Sequence, residues 1–229
     1  MISVILPTYN EKDNIEEVVE GIYDTLKEDK EVFVVDDDSP DETWKVAQDL
    51  SGRYKNLFVI RRKKNRGLAK SVVRGFEESD GEKIVVMDAD LQHPPEKLTE
   101  IVEALEGNDI VVGSRKVEGG EVENWPWYRK LVSVGAEALA RLFLSDVKDV
   151  KDILSGFFGV NREVIENVKF NPLGYKILLE VLVKGDYSTV KEVPYTFKDR
   201  ETGSSSLGFR QYCTYTRHVF RLFLHKLSV

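Results

Sequence analysis

The chain has 229 residues, of which 41% are hydrophobic and 32% are charged, and its formal net charge is −7. This length provides one large domain, or one domain with an appendage, with enough residues for a sizeable core. The negative charge argues against nucleic acid as a partner. The single cysteine, Cys213, excludes a disulfide framework and a cysteine-based zinc site.

The charge is unevenly distributed along the chain. From Thr202 to Val229 there is no acidic residue, whereas four basic ones are present, namely Arg210, Arg217, Arg221 and Lys226. This asymmetry predicts an anionic partner near the C-terminus. The start, MISVILPTYNE, lacks the basic and apolar regions of a signal peptide, and no apolar run is long enough to span a membrane. We therefore expect a cytoplasmic protein.

The first half of the chain alternates between strand-like and helix-like segments. The strand-like runs are ISVILP, EVFVVD, NLFVIR, KIVVMD and DIVVGS. This alternation predicts an α/β fold, in which helices cover both faces of a mostly parallel sheet. At the first two helices, Asn10 is predicted to cap a helix starting at Glu11, and Ser39–Glu42 reads as a capping box with Pro40 at the first helical position.

The second half has a different pattern. It contains an amphipathic segment at about 126–144, a helix near 173–184, a strand region at 187–200 and a basic aromatic helix at about 208–228. No linker composition interrupts it. We therefore predict a catalytic domain at 1–207 and a C-terminal amphipathic helix at 208–229.

Three of the predicted strands end in polar loops, PTYNE (7–11), DDDSPDE (36–42) and DADLQ (88–92). Ligands bind at the carboxyl ends of strands in such sheets, so these loops mark a candidate site. Asp88 and Asp90 with Gln92 form an oxygen-rich cluster that suits Mg²⁺ or Mn²⁺. The alternative is a solvated loop whose acids cap the next helix.

The other loops leave two interpretations each. The run Asp36–Asp38 supplies turn geometry and caps, or else one carboxylate binds a nucleobase or ribose. Asn65, Arg66 and Gly67 open a helix where free amides and Arg66 meet a phosphate, or they form a simple turn. The chain has no dinucleotide-binding G-x-G-x-x-G after its first strand, no P-loop and no nucleophile elbow.

Taken together, the blocks PTYNE, VVDDDSPDET, NRGLAKSVVRGF, VVMDADLQHPPE, VGSRKVEGGEVENW, SGFF and GYKILLE resemble family 2 glycosyltransferases of the GT-A fold. More narrowly, they are similar to the dolichol-phosphate mannose synthases, over about residues 2–207. The resemblance implies inverting transfer of mannose from GDP-mannose to dolichyl (polyprenyl) phosphate, which gives GDP and the lipid-linked sugar. A glucosyltransferase using UDP-glucose and a catalytically silent nucleotide-sugar-binding module are the alternatives.

The resemblance also implies roles for individual residues. The nucleotide-sugar would be bound by Pro7, Tyr9, Glu11, Val35, Asp37, Asp88, Ala89 and Asp90. The divalent metal would be held by Asp88, Asp90 and Gln92. The acceptor phosphate would be met by Arg115, Arg129, Lys176 and Arg200, and the catalytic residues would be Asp90, Arg115 and Arg200. Relatives commonly carry a lysine where this chain has Ser206, which leaves the role of that cation open.

The residues themselves favour a phosphate acceptor. A sugar hydroxyl would need a general base, whereas a phosphate is already anionic and needs only cations to hold it. The second half offers such cations, although each taken alone is also an ordinary surface charge. A lipid acceptor would place the enzyme peripherally on the cytoplasmic face of a membrane. The helices at 126–144 and 208–229 suit a membrane interface, with packing on the core or a homodimer contact as alternatives.

Overall fold

The computed structural model describes residues 1–147, 149–198 and 209–228. The strands are β1 (Ile2–Thr8), β2 (Lys30–Asp36), β3 (Leu57–Arg61), β4 (Lys83–Val86), β5 (Ile110–Ser114), β6 (Glu121–Val122), β7 (Phe158–Asn161), β8 (Val190–Pro194) and β9 (Thr196–Phe197). The helices are α1 (Ile15–Thr25), α2 (Thr43–Ser51), α3 (Leu68–Glu78), α4 (Leu98–Ala104), α5 (Trp127–Phe143), α6 (Arg162–Ile165), α7 (Ile177–Lys184) and α8 (Phe209–Leu227).

Within these ranges one seven-stranded sheet has the order β3-β2-β1-β4-β7-β5-β8. Its neighbouring strands are parallel except at β7, which runs antiparallel to both β4 and β5. A short parallel pair, β6 with β9, lies apart from it. The predicted mostly parallel α/β sheet is therefore confirmed, as are the five strands of the first half.

Successive strand residues point to opposite faces of the sheet, and each face carries its own hydrophobic core. In β1, Ile5 packs into the core formed with α3, α7 and α8, whereas Leu6 packs into the core formed with α1, α2 and α4. Helices thus cover both faces, as predicted. The outcome is a rigid sheet whose strand ends hold the polar loops in fixed positions.

The two predicted helix starts are wrong. The first helix begins at Ile15 instead of Glu11, and Asn10 lies in a left-handed conformation ahead of it. The second begins at Thr43, beyond the predicted capping box. The amide of Asn10 donates to the hydroxyl of Ser39 (3.0 Å), so these residues join two loops to each other instead of capping helices.

The two long helices of the second half lie close to their predicted bounds but pack differently. Helix α8 buries Tyr215, Val219 and Leu222 in the core that it shares with α7. Helix α5 leaves most of its apolar side chains in solvent. In the described ranges, every helix is either too short or too polar to cross a bilayer. The predicted boundary at 207, together with Arg200 and Ser206, lies outside the described residues.

Candidate active site

The polar loops after β1, β2 and β4 meet at one edge of the sheet. Pro7 of β1 and Val35 of β2 are direct partners across the parallel pair, and both are buried. One residue further on, the amide of Asp37 donates to the carbonyl of Thr8 (3.0 Å). The residues predicted to bind the nucleotide on these two strands are therefore neighbours in space.

The three aspartates at the end of β2, Asp36 to Asp38, all accept hydrogen bonds from other residues of the chain. Asp36 accepts from Thr8 and Ser39. Asp37 accepts from Arg62 (2.7 Å), from the Gly67 amide (2.6 Å) and from Ser71 (2.9 Å), which ties β2 to the start of α3. Of these contacts only that between Asp36 and Ser39 is a local turn contact, and no side-chain hydrogen bond caps α2 or α3. The role of Asp37 toward a nucleotide stays a prediction.

Asp38 and the loop before α3 border an open pocket of about 410 Å³. Arg61 and Arg66 both pair with the Asp38 carboxylate, and the Arg61 guanidinium lies 3.8 Å from the centre of the Trp44 ring. The pocket is lined by Tyr9, Asp38, Ser39, Pro40, Glu42, Trp44, Arg61 and Arg66. Arg66 thus pairs with Asp38 in this structure, and a role for Arg66 toward a phosphate stays a prediction.

The D-x-D carboxylates follow β4 at the same edge. Asp90 is buried and accepts from the Gln92 amide (3.2 Å), while the Asp88 side chain is 29% exposed. The Gln92 side-chain amide nitrogen donates to the carbonyl of Lys198 (2.8 Å) and ties this loop to the end of β9. Ala89 is buried between the two carboxylates in sequence.

His93 and Gly156 hold Asp88 in place. The Nδ1 atom of His93 accepts a hydrogen bond from the backbone amide of Asp88 (2.9 Å). The His93 ring stacks on the ring of Phe157, with 5.2 Å between the centroids. Burial lowers the pKa of His93 to about 4, so the ring is neutral near pH 7 and acts as an acceptor. A Cβ on Gly156 would lie 2.9 Å from Asp88 Oδ2, so this position has no room for a side chain.

Arg115, at the end of β5, is fixed by Asp152. Its Nε and Nη2 atoms each donate to the carboxylate at 2.7 Å, and its backbone amide donates at 3.0 Å. Asp152 is fully buried. Burial opposes the charged form of Arg115, but the bonds to Asp152 outweigh it, so the pKa of Arg115 lies above its ordinary value. The pair keeps both charges inside the protein.

Lys176, at the start of α7, is a second buried cation near Arg115. Its Nζ donates to the carbonyl of Leu154 (2.6 Å). Burial and then the charge of Arg115 lower the pKa of Lys176 to about 8, against the opposing effects of Asp88 and Asp152. The structure therefore brings a carboxylate pair and a cation pair to the same edge of the sheet.

Of the predicted acceptor residues, Arg115 and Lys176 are brought together, whereas Arg129 lies in the first turn of α5. Asp152, His93 and Gly156 were not predicted. Two carboxylates and an amide carbonyl are hard oxygen donors, and a divalent cation that shares its ligands with phosphate fits such a set. In the described ranges, no three His, Cys, Asp or Glu side chains form a metal cluster.

The α/β sheet, with a D-x-D loop and buried cations at one edge, has the GT-A fold found in glycosyltransferases. The fold is shared with glucosyl-3-phosphoglycerate synthase from Mycobacterium tuberculosis, solved with Mn²⁺, UDP-glucose and glycerol 3-phosphate. The TM-score is 0.72 at 22% identity, over 100% of this chain and 80% of that one.

Residues 3–169 match glycosyl transferase family 2. The chain is 52% identical to a dolichol-phosphate mannosyltransferase of Pyrococcus furiosus, over 96% of this chain but 63% of the length of that relative. It is 34% identical to the enzyme of the same name from Saccharomyces cerevisiae, over 99% of this chain and 88% of that relative. A polyprenol monophosphomannose synthase of Mycolicibacterium smegmatis is also 34% identical, with coverage of 89% and 80%. The chain therefore belongs to family 2 of the glycosyltransferases and, within it, to the dolichol-phosphate mannosyltransferases.

Proposed function

We propose that the protein transfers mannose from GDP-mannose to dolichyl phosphate or another polyprenyl phosphate, with inversion at the anomeric carbon. The names of the relatives support this donor sugar and acceptor class. The observation that carries the proposal is the placement of Asp88 beside Gly156, within electrostatic reach of Lys176, which in turn lies within reach of Arg115. Carboxylates for a metal and cations for a phosphate thus face one another.

The donor would occupy the edge formed by β1, β2 and β4. Pro7 and Val35 would contact the guanosine, with Tyr9, Glu11 and Asp37 at its rim, and Ala89 would lie against the sugar-diphosphate. Asp88, Asp90 and Gln92 would hold Mg²⁺ or Mn²⁺. When bound, such an ion neutralises the diphosphate that leaves the sugar.

The acceptor side needs cations instead of a base. A phosphate monoester carries its nucleophilic oxygen already ionised, so the task of the protein is to bring it close to an anionic donor. Arg115, preset by Asp152, and Lys176 would bind the phosphate oxygens. Arg129 of α5 and Arg200, which lies outside the described residues, are the further candidates.

The acceptor also accounts for the exposed apolar face of α5. Trp127, Leu131, Val134 and Leu142 project into solvent, and Phe220 and Leu227 do so on α8. Apolar and aromatic side chains beside basic residues suit a helix lying in a membrane interface. We therefore propose peripheral association with the cytoplasmic face of a membrane. Contact between two copies through the same face is the competing explanation.

Titration calorimetry tests the donor. GDP-mannose, GDP and UDP-glucose would each be titrated into the protein with Mn²⁺ and again with EDTA. We expect metal-dependent binding of the guanosine ligands alone. Preference for UDP-glucose would instead assign a glucosyl donor, and GDP release that is unaffected by polyprenyl phosphate would refute the acceptor.

A further inference from the structure

Helix α5 packs Ala136, Leu139 and Phe143 against the core but exposes most of its large apolar side chains, unlike a typical helix of a soluble domain. Such a helix usually buries an apolar stripe and exposes its charges. Here Leu142 is 77% exposed and Trp127 is 73% exposed. Within α5, which the structure describes throughout, the buried residues are Glu137 and Ala140. A carboxylate thus lies on the inner face of this helix.

Glu137 is held by Lys116, the residue that follows Arg115. The Lys116 ammonium donates to Glu137 Oε1, and the Ser133 hydroxyl donates to the same oxygen (3.4 Å). The Glu137 side chain is 10% exposed and that of Lys116 is 31% exposed, so water screens this pair only in part. Glu137 also lies near enough to Arg115 and Lys176 to favour their charged forms.

A partly buried ion pair is a poor way to gain stability. Desolvating the two charges costs about as much as their attraction returns, and apolar side chains of similar size would often serve better. Such a pair does specify the register of a helix against its neighbour, because the two charges meet in only one position of the helix along its axis.

The register of α5 matters because this helix carries Arg129. Arg129 precedes Glu137 by eight residues, which corresponds to about 12 Å along a helix axis at about 1.5 Å per residue. Fixing Glu137 against Lys116 therefore also fixes the position of Arg129 relative to Arg115. The outward apolar face can rest on a membrane while the inward carboxylate keeps its place.

We infer that Lys116 and Glu137 are positioning residues, which set α5 and its Arg129 at the correct distance from Arg115 for both cations to meet the acceptor phosphate. The inference rests on the proposed function, since it assumes a phosphate acceptor carried by a membrane lipid. It assigns the ion pair to acceptor alignment, not to donor binding or to attachment at the membrane.

The test compares Glu137→Gln and the milder Lys116→Gln with Lys116→Arg, which retains the pair. Polyprenyl phosphate in phosphatidylcholine vesicles is the acceptor. We expect kcat/KM for the acceptor to fall on the order of 10- to 100-fold in both glutamine variants, as for other small displacements of aligned groups. Lys116→Arg should restore most of it. GDP-mannose binding and vesicle binding should stay unchanged.

The matched control is Glu100→Gln, which breaks the exposed Lys97–Glu100 pair. The inference would be overturned if both glutamine variants kept the wild-type kcat/KM for the acceptor. It would also be overturned if their binding of GDP-mannose fell by as much as their kcat/KM for the acceptor. Hydrogen–deuterium exchange of residues 127–143 provides a readout that does not depend on activity. We expect faster exchange in Glu137→Gln, and unchanged exchange would contradict the inference. If the wild-type protein transfers no sugar to polyprenyl phosphate, the proposed function fails, whereas this exchange measurement still tests the fixing of α5.

Discussion

The guanidinium of Arg115 and the carboxylate of Asp152 form a fork of two N–O contacts, both 2.7 Å long, in the interior of the protein. The amide of Asp152 in turn donates to Glu192 on β8 (3.0 Å). This chain of contacts orients Arg115 before any substrate arrives. A planar cation held in this way loses little further entropy when it binds a phosphate.

Asp152→Asn removes the charge but keeps the shape of the side chain. We expect the free energy of unfolding to fall by about 3 to 5 kcal/mol, because Arg115 is then left as an uncompensated buried charge. Urea denaturation would measure this loss, and kcat/KM for the acceptor should fall with it. Asp24→Asn on the surface serves as the control. A wild-type unfolding free energy in Asp152→Asn would contradict the role assigned to the pair.

The same pair predicts a pH dependence of stability. Burial raises the pKa of Asp152, but the hydrogen bond and charge of Arg115 lower it more, so it lies below the ordinary 3.8. A depressed carboxyl pKa contributes stability above the ordinary value, and this is lost as pH falls through the folded value. The stability difference between wild type and Asp152→Asn should therefore be constant near neutrality and shrink below about pH 4. If the stability difference between the two proteins grew as the pH fell, the pKa of Asp152 would lie above its ordinary value and the prediction would be wrong.

The lowered pKa of Lys176 predicts that activity falls at alkaline pH. Its pKa of about 8 lies below the ordinary 10.5, so the buried ammonium loses its proton first in the folded protein. Stability should rise between these two values, because the unfolded chain then binds more protons. The kcat/KM for polyprenyl phosphate should fall as pH passes about 8. The arginine of Lys176→Arg stays charged, so kcat/KM of this variant should not fall at alkaline pH. If the fall persisted in the variant, another group would be responsible for it.

Asp90→Asn tests the metal site. Replacing one of two carboxylates by an amide weakens a hard-cation site severely, and we expect metal-dependent turnover to disappear. GDP release would be followed with Mn²⁺ and with chelator, and Asp13→Asn is the exposed control. Activity that persists in the variant and in the presence of chelator would show that Asp90 holds no catalytic ion.

Gly156→Ala tests how tightly Asp88 is confined. The new methyl group would meet Asp88 Oδ2 at 2.9 Å and His93 Cε1 at 3.2 Å, so the carboxylate must move. We expect a higher Mn²⁺ concentration at half-maximal activity. Gly107→Ala is the matched control, since nothing lies within 4 Å of its added Cβ. Equal metal requirements in the two variants would show that Asp88 has room to shift.

The sequence predicted the strands and the D-x-D loop well because each is a local pattern. Five apolar runs bounded by polar loops leave little choice of fold, and β4 ends just before Asp88. The helix caps could not be predicted in the same way. Ser39 is a good N-cap residue by type, but its hydroxyl donates to Asp36 in its own loop (2.5 Å) and accepts from Asn10 of another loop.

Asp152 could not be found by searching the ends of strands. Because β7 runs against its neighbours, its beginning lies beside the ends of β4 and β5. The residues ahead of β7, from Asp152 to Phe157, thus reach the site from the opposite chain direction. A pattern rule based on parallel strands passes over them.

The position of β7 between β4 and β5 also has a consequence for how the protein is made. Strands β1 to β4 are contiguous in sequence and pair with one another, so they can assemble as soon as they leave the ribosome. The partner of β4 on its other side is synthesised about 70 residues later, and such distant pairing forms slowly. During that interval the edge of β4, which leads into the aspartates proposed to bind the metal, has no neighbour. We expect this unfinished edge to be the part of the nascent chain that most needs protection from aggregation.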